Sequence, residues 1–138
     1  MTYPTAFLRY ALLGDALASG ATGLLTLVGA GLLTDVLGLP TGLLRGVGLV
    51  LLPYAGFVAW LGTRTSPARG AVWAVVAINA LWVVDSLVLL ASGWVAPTGL
   101  GTAFVLGQAL VVAGFAAAQA HGLRMAGASS TGRTLRQA

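Results

Sequence analysis

The chain has 138 residues, of which 58% are hydrophobic and 7% charged, with a mean hydropathy of +0.94. A soluble domain carries about a quarter charged residues. Seven arginines and three aspartates, with no lysine or glutamate, cannot cover a water-facing surface, so a soluble globular domain, a disordered chain and a nucleic-acid binder are all excluded. The absence of cysteine excludes disulfide frameworks, thiolate metal sites and thiol redox chemistry. What remains is an all-α, polytopic membrane four-helix bundle.

A spanning helix needs about 20 mostly apolar residues, and four stretches qualify: 10–33, 43–61, 71–93 and 99–120. The first carries Asp15, Ser19, Thr22 and Thr26, which fall within about 60° of arc at 100° per residue and give the helix one polar, small-residue face. Asp15 also interrupts what would otherwise resemble a signal-peptide core, so the segment reads as a retained helix. TDVLGLPTG follows as a turn rich in Gly, Pro and Thr. The second span places Gly42, Gly46, Pro53 and Trp60 near one stripe, with Pro53 expected to kink it. Arg45, near its start, reads as an interfacial arginine that snorkels to the surface in preference to pairing with Asp35. After GTRTSPARG, the third span divides its polar residues: Asn79 and Ser86 share one face, while Asp85 and Ser92 share another about 120° away. Beyond WVAPTG, the fourth span aligns Gly101, Gln108 and Gln119. The chain reads as one transmembrane domain over 1–124, followed by a disordered, basic cytoplasmic tail over 125–138.

Arginine counting gives an orientation. In a four-span arrangement Arg9, Arg64, Arg69, Arg124, Arg133 and Arg136 fall on one side and only Arg45 near the other, which places both termini in the cytoplasm. The two halves, about 8–64 and 70–124, also look related. Asp15-Ala16-Leu17 recurs as Asn79-Ala80-Leu81, 64 residues later. Pro40-Thr41-Gly42-Leu43 recurs as Pro97-Thr98-Gly99-Leu100 at a spacing of 57. Two-span units that begin and end on one side form parallel repeats. Asp15 and Asn79 are then expected at similar depth, roughly 10–13 Å from the inner boundary, facing one another across the bundle.

Ionisable residues inside a span cost about 2.5–3.5 kcal/mol each and mark functional sites by default. The candidate intramembrane polar site is therefore Asp15, Ser19, Asn79, Asp85 and Gln108. The competing structural reading is a bundle joined by interhelical hydrogen bonds of about 0.6 kcal/mol each. His121 is the only histidine and lacks a second metal ligand. No nucleophile–base spacing, HExxH or phosphate-binding loop is present, so no catalytic residue, metal site or cofactor is expected.

The runs LRYALLGDALASGATGLL, LGLP, LPYAGFVAWLGTR, NALWVVDSLVLLASGW and PTGLGTAFVLGQAL resemble a group of small bacterial four-helix integral membrane proteins, over Leu8 to Arg124. That resemblance implies a bacterial inner-membrane location and carries over no catalytic residue. Small multidrug-resistance transporters are similar in placing a carboxylate in the first helix, where Asp15 stands, although they use glutamate and lack this arginine asymmetry. DoxX-like proteins are similar in size and in their Gly-rich first helix. The leading expectation is a non-enzymatic accessory, scaffold or lipid-binding bundle. The alternative is a small proton- or cation-coupled transporter acting as a homo-oligomer. Expected partners are membrane lipids and either a larger membrane protein complex or a second copy of the chain, with no nucleic acid.

Overall fold

In the computed structural model, which describes residues 3–137, every regular element is a helix: α1 (Tyr3–Val28), α2 (Ala30–Leu37), α3 (Thr41–Thr63), α4 (Arg69–Ala91) and α5 (Gly99–Gln137). Four of them, α1, α3, α4 and α5, are long and apolar enough to cross a membrane. A helix satisfies its backbone hydrogen bonds internally, which is why such apolar segments adopt no other form in lipid. The end of the bundle with the start of α1 and the α3–α4 turn carries Arg9, Arg64 and Arg69, and is called here the basic end.

Two expected boundaries shift. The first hydrophobic stretch does not end in a turn at 34–37, because those residues complete α2. Gly29 separates α1 from α2 yet keeps the hydrogen-bond ladder running. Its N–H donates to the Leu25 carbonyl (2.8 Å), and its own carbonyl accepts from Leu33 N–H (2.9 Å). The chain therefore bends without stopping until Gly38, whose φ of +69° closes α2 in the left-handed conformation that glycine adopts most readily. The second shift is in the tail. Residues 125–137, expected to be disordered, continue α5, and Ala138 lies outside the described residues. No proline follows Pro97, and the base of the extension is docked: Leu123 is buried, and its carbonyl accepts from Arg69 Nη1 at 3.0 Å. At 1.5 Å per residue the 39-residue α5 is about 58 Å long, so it extends well past the bilayer core. Pro53, expected to kink its span, lies within α3 as one continuous helical segment.

The long helices pack in the ring order α3–α1–α5–α4, each antiparallel to its neighbours, and α3 and α4 barely touch although a short turn joins them. The most extensive packing is between α1 and α3. A Cβ at Gly48 would stand 2.6 Å from the Gly23 carbonyl oxygen, so only glycine permits the two backbones to meet there. At the basic end all four long helices contribute to one apolar cluster: Leu8, Leu12 and Ala16 of α1, Val58 and Leu61 of α3, Val72 and Val75 of α4, and Leu123 of α5. At the opposite end a second cluster forms around Ala30, Leu37, Leu39, Leu44 and Val105. Thr98 ties this end together. It caps α5 by accepting from Gly101 N–H (3.0 Å), donates its hydroxyl to the Val36 carbonyl (2.9 Å), and donates its N–H to the Leu37 carbonyl (2.9 Å).

Candidate functional site

Directly beyond the apolar cluster of the basic end lies a polar centre to which every long helix contributes. Asp15 of α1 is 1% exposed. It stands about nine residues, roughly 13 Å, along its span from Ala6, near the middle of a hydrocarbon layer about 30 Å thick. Its Oδ2 accepts from Gln119 Nε2 of α5 (2.8 Å), Asn79 Nδ2 of α4 (2.9 Å) and the Tyr54 hydroxyl of α3 (3.0 Å). Its Oδ1 accepts from Ser19, one turn further along α1 (3.1 Å). Asn79 also donates to Gln119 Oε1 (3.1 Å) and accepts from the Tyr54 hydroxyl at 2.7 Å. Tyr54 thus has one proton and two acceptors within reach. All of Asp15's hydrogen-bond partners are neutral, and no cation reaches it among the described residues.

Local sequence explains who arrives here. On α1 the i, i+4 spacing stacks Ser19 on Asp15, and the same stripe continues to the half-buried Thr22 and the buried Thr26, which donates back to the Gly23 carbonyl (3.2 Å). On α4 the buried residues Val72, Val75, Asn79 and Ser86 form one inward stripe, so Asn79 follows the apolar cluster by one turn. On α5 Gln119 precedes Leu123 by one turn.

The expected site residues divide among three places. Asp15, Ser19 and Asn79 come together, and the pair expected to face one another is directly hydrogen-bonded. Gln108 belongs elsewhere: it accepts from Trp82 Nε1 (2.7 Å) and donates to Ser86 Oγ (2.9 Å), in a second polar cluster nearer the opposite end. Asp85 joins neither cluster. It is exposed, because it lies about 100° around α4 from Ser86 while the inward stripe runs through Ser86. Gln119 and Tyr54 complete the centre although they stood outside the expected set. Gln119 carried a signal, since it lies eleven residues, three turns, beyond Gln108 on one face. Tyr54 carried none beyond being a mid-span tyrosine.

Beside the polar centre is a cleft of about 340 Å³ between α1 and α5. Asp15, Ser19 and Thr22 line one side of it, and Trp82, Phe104 and Phe115 wall it. Ala103, Gly107 and Val111 are lining residues that are also exposed, so the cleft reaches the side of the bundle. Its volume lies within the range of small-molecule sites, about 300–1,000 Å³. Trp82 also borders two smaller cavities, of about 50 and 70 Å³, that lie towards α3. His121 packs edge-on against Phe7 with ring centroids 5.8 Å apart, and no three metal-ligating side chains gather among the described residues. The chain matches no protein family, no characterised protein and no solved structure.

Proposed function

We propose that the chain is a non-enzymatic membrane protein that holds a small, mostly apolar, membrane-soluble molecule in the cleft between α1 and α5. The observation that carries this reading is a lateral cleft of about 340 Å³ with aromatic walls and a carboxylate at its inner end. Asp15 lines the cleft, and its Oδ1, with one bond from Ser19, keeps acceptor capacity for a second donor, so the favoured ligand carries a hydroxyl or N–H group. Asp15 lies far below the headgroup layer, which favours a molecule dissolved in the bilayer core over a phospholipid headgroup.

Native mass spectrometry of gently extracted protein tests the reading, since it expects one small molecule retained per chain. Gly107→Phe is the matching control: Gly107 lines the cleft, and a Cβ there meets nothing within 4 Å, so the ring fills the mouth without disturbing the backbone. Equal retention by wild type and Gly107→Phe, or no retention at all, would refute the proposal.

A proton- or cation-coupled carrier is the second reading. It draws on an ionisable residue near mid-membrane whose hydrogen-bond partners are all neutral. Substrate-dependent proton flux lost in Asp15→Asn would favour it over simple binding.

We further infer a bacterial inner-membrane location with the basic end in the cytoplasm, from the six-to-one division of arginines. The two halves are proposed to be parallel repeats. The hydrogen bond between Asp15 and Asn79 supports this, as do the matching Pro-Thr pairs at the starts of α3 and α5.

A further inference from the structure

Asp85 takes no part in either polar cluster, yet it sits inside a membrane span. It is exposed, and its side chain makes no hydrogen bond or ion pair among the described residues. A carboxylate placed so against lipid is costly unless something covers it. Its position on α4 says which side needs the cover. Ile78, Trp82, Asp85 and Leu89 follow one another at i, i+4, i+7 and i+11, on one stripe. Ile78 and Trp82 share a cavity with Val50 and Tyr54 of α3, and Leu89 shares another with Leu43 and Val47. Asp85 therefore stands at the open seam where α3 and α4 fail to pack.

The chain carries one arginine at the same end of the bundle. Arg45 is four residues in from the start of α3 and Asp85 six residues from the end of α4, or about 6 and 9 Å from the helix ends. Arg45 is also exposed and unpaired among the described residues. It cannot serve its own Asp85. Two residues from both Leu43 and Val47, it lies about 160° around α3 from the face that α4 sees. Instead it flanks an outward stripe of Gly42, Gly46, Leu49, Pro53 and Gly56, all exposed, at whose three glycines an added Cβ would meet nothing within 4 Å. Such a flat small-residue stripe lets two helices approach closely.

We propose that two copies of this chain associate through the outward face of α3, with Arg45 of each copy paired to Asp85 of the other. A two-fold axis along the membrane normal makes both contacts at once and leaves neither charge facing lipid. The second copy is the favoured occupant because the chain itself supplies the complementary charge, at matching depth and beside a surface fit for close packing.

Charge reversal tests the proposal. In Arg45→Glu both interfacial positions are acidic, and in Asp85→Arg both are basic, so each variant alone is expected to lose dimer by about tenfold or more. Mixing the two variants restores both ion pairs and is expected to restore the dimer, read by co-purification of differently tagged copies in lipid nanodiscs and by native mass spectrometry. The cysteine-free chain permits a second test that needs no charge reversal. Copies carrying Arg45→Cys, mixed with copies carrying Asp85→Cys, are expected to be joined by a short bifunctional thiol cross-linker, since a paired Arg and Asp hold their Cα atoms beyond the reach of a direct disulfide. A monomeric wild type, undiminished dimer in either charge variant, or no rescue and no cross-link on mixing would overturn the proposal.

Discussion

The two halves of the bundle solve the same packing problem differently. Towards the basic end the four long helices converge: eight apolar side chains fill the centre, and the Asp15 network closes over them with a contribution from each helix. Towards the opposite end α3 and α4 separate, the polar residues pair more locally through Trp82, Ser86 and Gln108, and a small cavity and the cleft that starts at Asp15 open between the helices. There α2 and the Thr98 loop supply the closure that the missing α3–α4 contact does not. Burying a carboxylate in lipid requires donors from several directions, and only converging helices bring them. A cleft requires the reverse. The two requirements meet at Asp15, which closes the converging half and lines the cleft that opens beyond it.

Substitutions should act on the two halves unequally. The largest expected effect is Gly48→Leu, which drives a side chain into the Gly23 carbonyl at the α1–α3 crossing. A loss of about 3 kcal/mol is expected, seen as early thermal unfolding in detergent. Unchanged stability would mean that the helices can part at the Gly23–Gly48 crossing without cost.

Next is Asp15→Leu, which removes four hydrogen bonds and leaves the Gln119 amide N–H without its acceptor inside the bundle, while Asn79 keeps its bonds to Gln119 and Tyr54. At about 0.6 kcal/mol per interhelical bond, with an added penalty for buried unpaired donors, the loss is about 2–3 kcal/mol. Gln119→Leu removes the bonds to Asp15 and Asn79 and should cost about 1–2 kcal/mol. Double-mutant analysis with Asp15→Leu should show the two changes to be strongly non-additive, because they share a bond. Additive effects would separate Gln119 from the network.

The smallest effect is expected for Trp82→Phe, which removes the bond to Gln108 and trims a wall shared by three cavities. About 1 kcal/mol is expected, with faster hydrogen exchange confined to the cavity-bearing half. Loosening that spread to the residues around Asp15 would show that the halves are not independent.

Much of this architecture is legible in the amino-acid order because it depends on properties local to each helix. Length and hydropathy determine four spans, and the spacing of Asp15, Ser19, Thr22 and Thr26 determines which side of α1 turns inward. The same periodicity puts Asn79 and Ser86 on one face. It could not rank Asp85, because a carboxylate is equally conspicuous whether it points inward or outward. Nor could composition separate Gln108 from Gln119. They share a face of α5, and only the meeting of α5 with α1 and α4 sends one to Asp15 and the other to Trp82. Residues 34–37 open a run whose Gly38, Pro40 and Gly42 read as a turn, yet the ladder passes through Gly29 and keeps these four helical. Tyr54 reaches Asp15 because the backbones of α1 and α3 touch at Gly23 and Gly48, a contact no single-helix pattern encodes. Each sequence segment determines its own apolar and polar faces through its helical period. Which faces meet, and where they fail to meet and leave a cleft, is decided only when four helices share one limited volume.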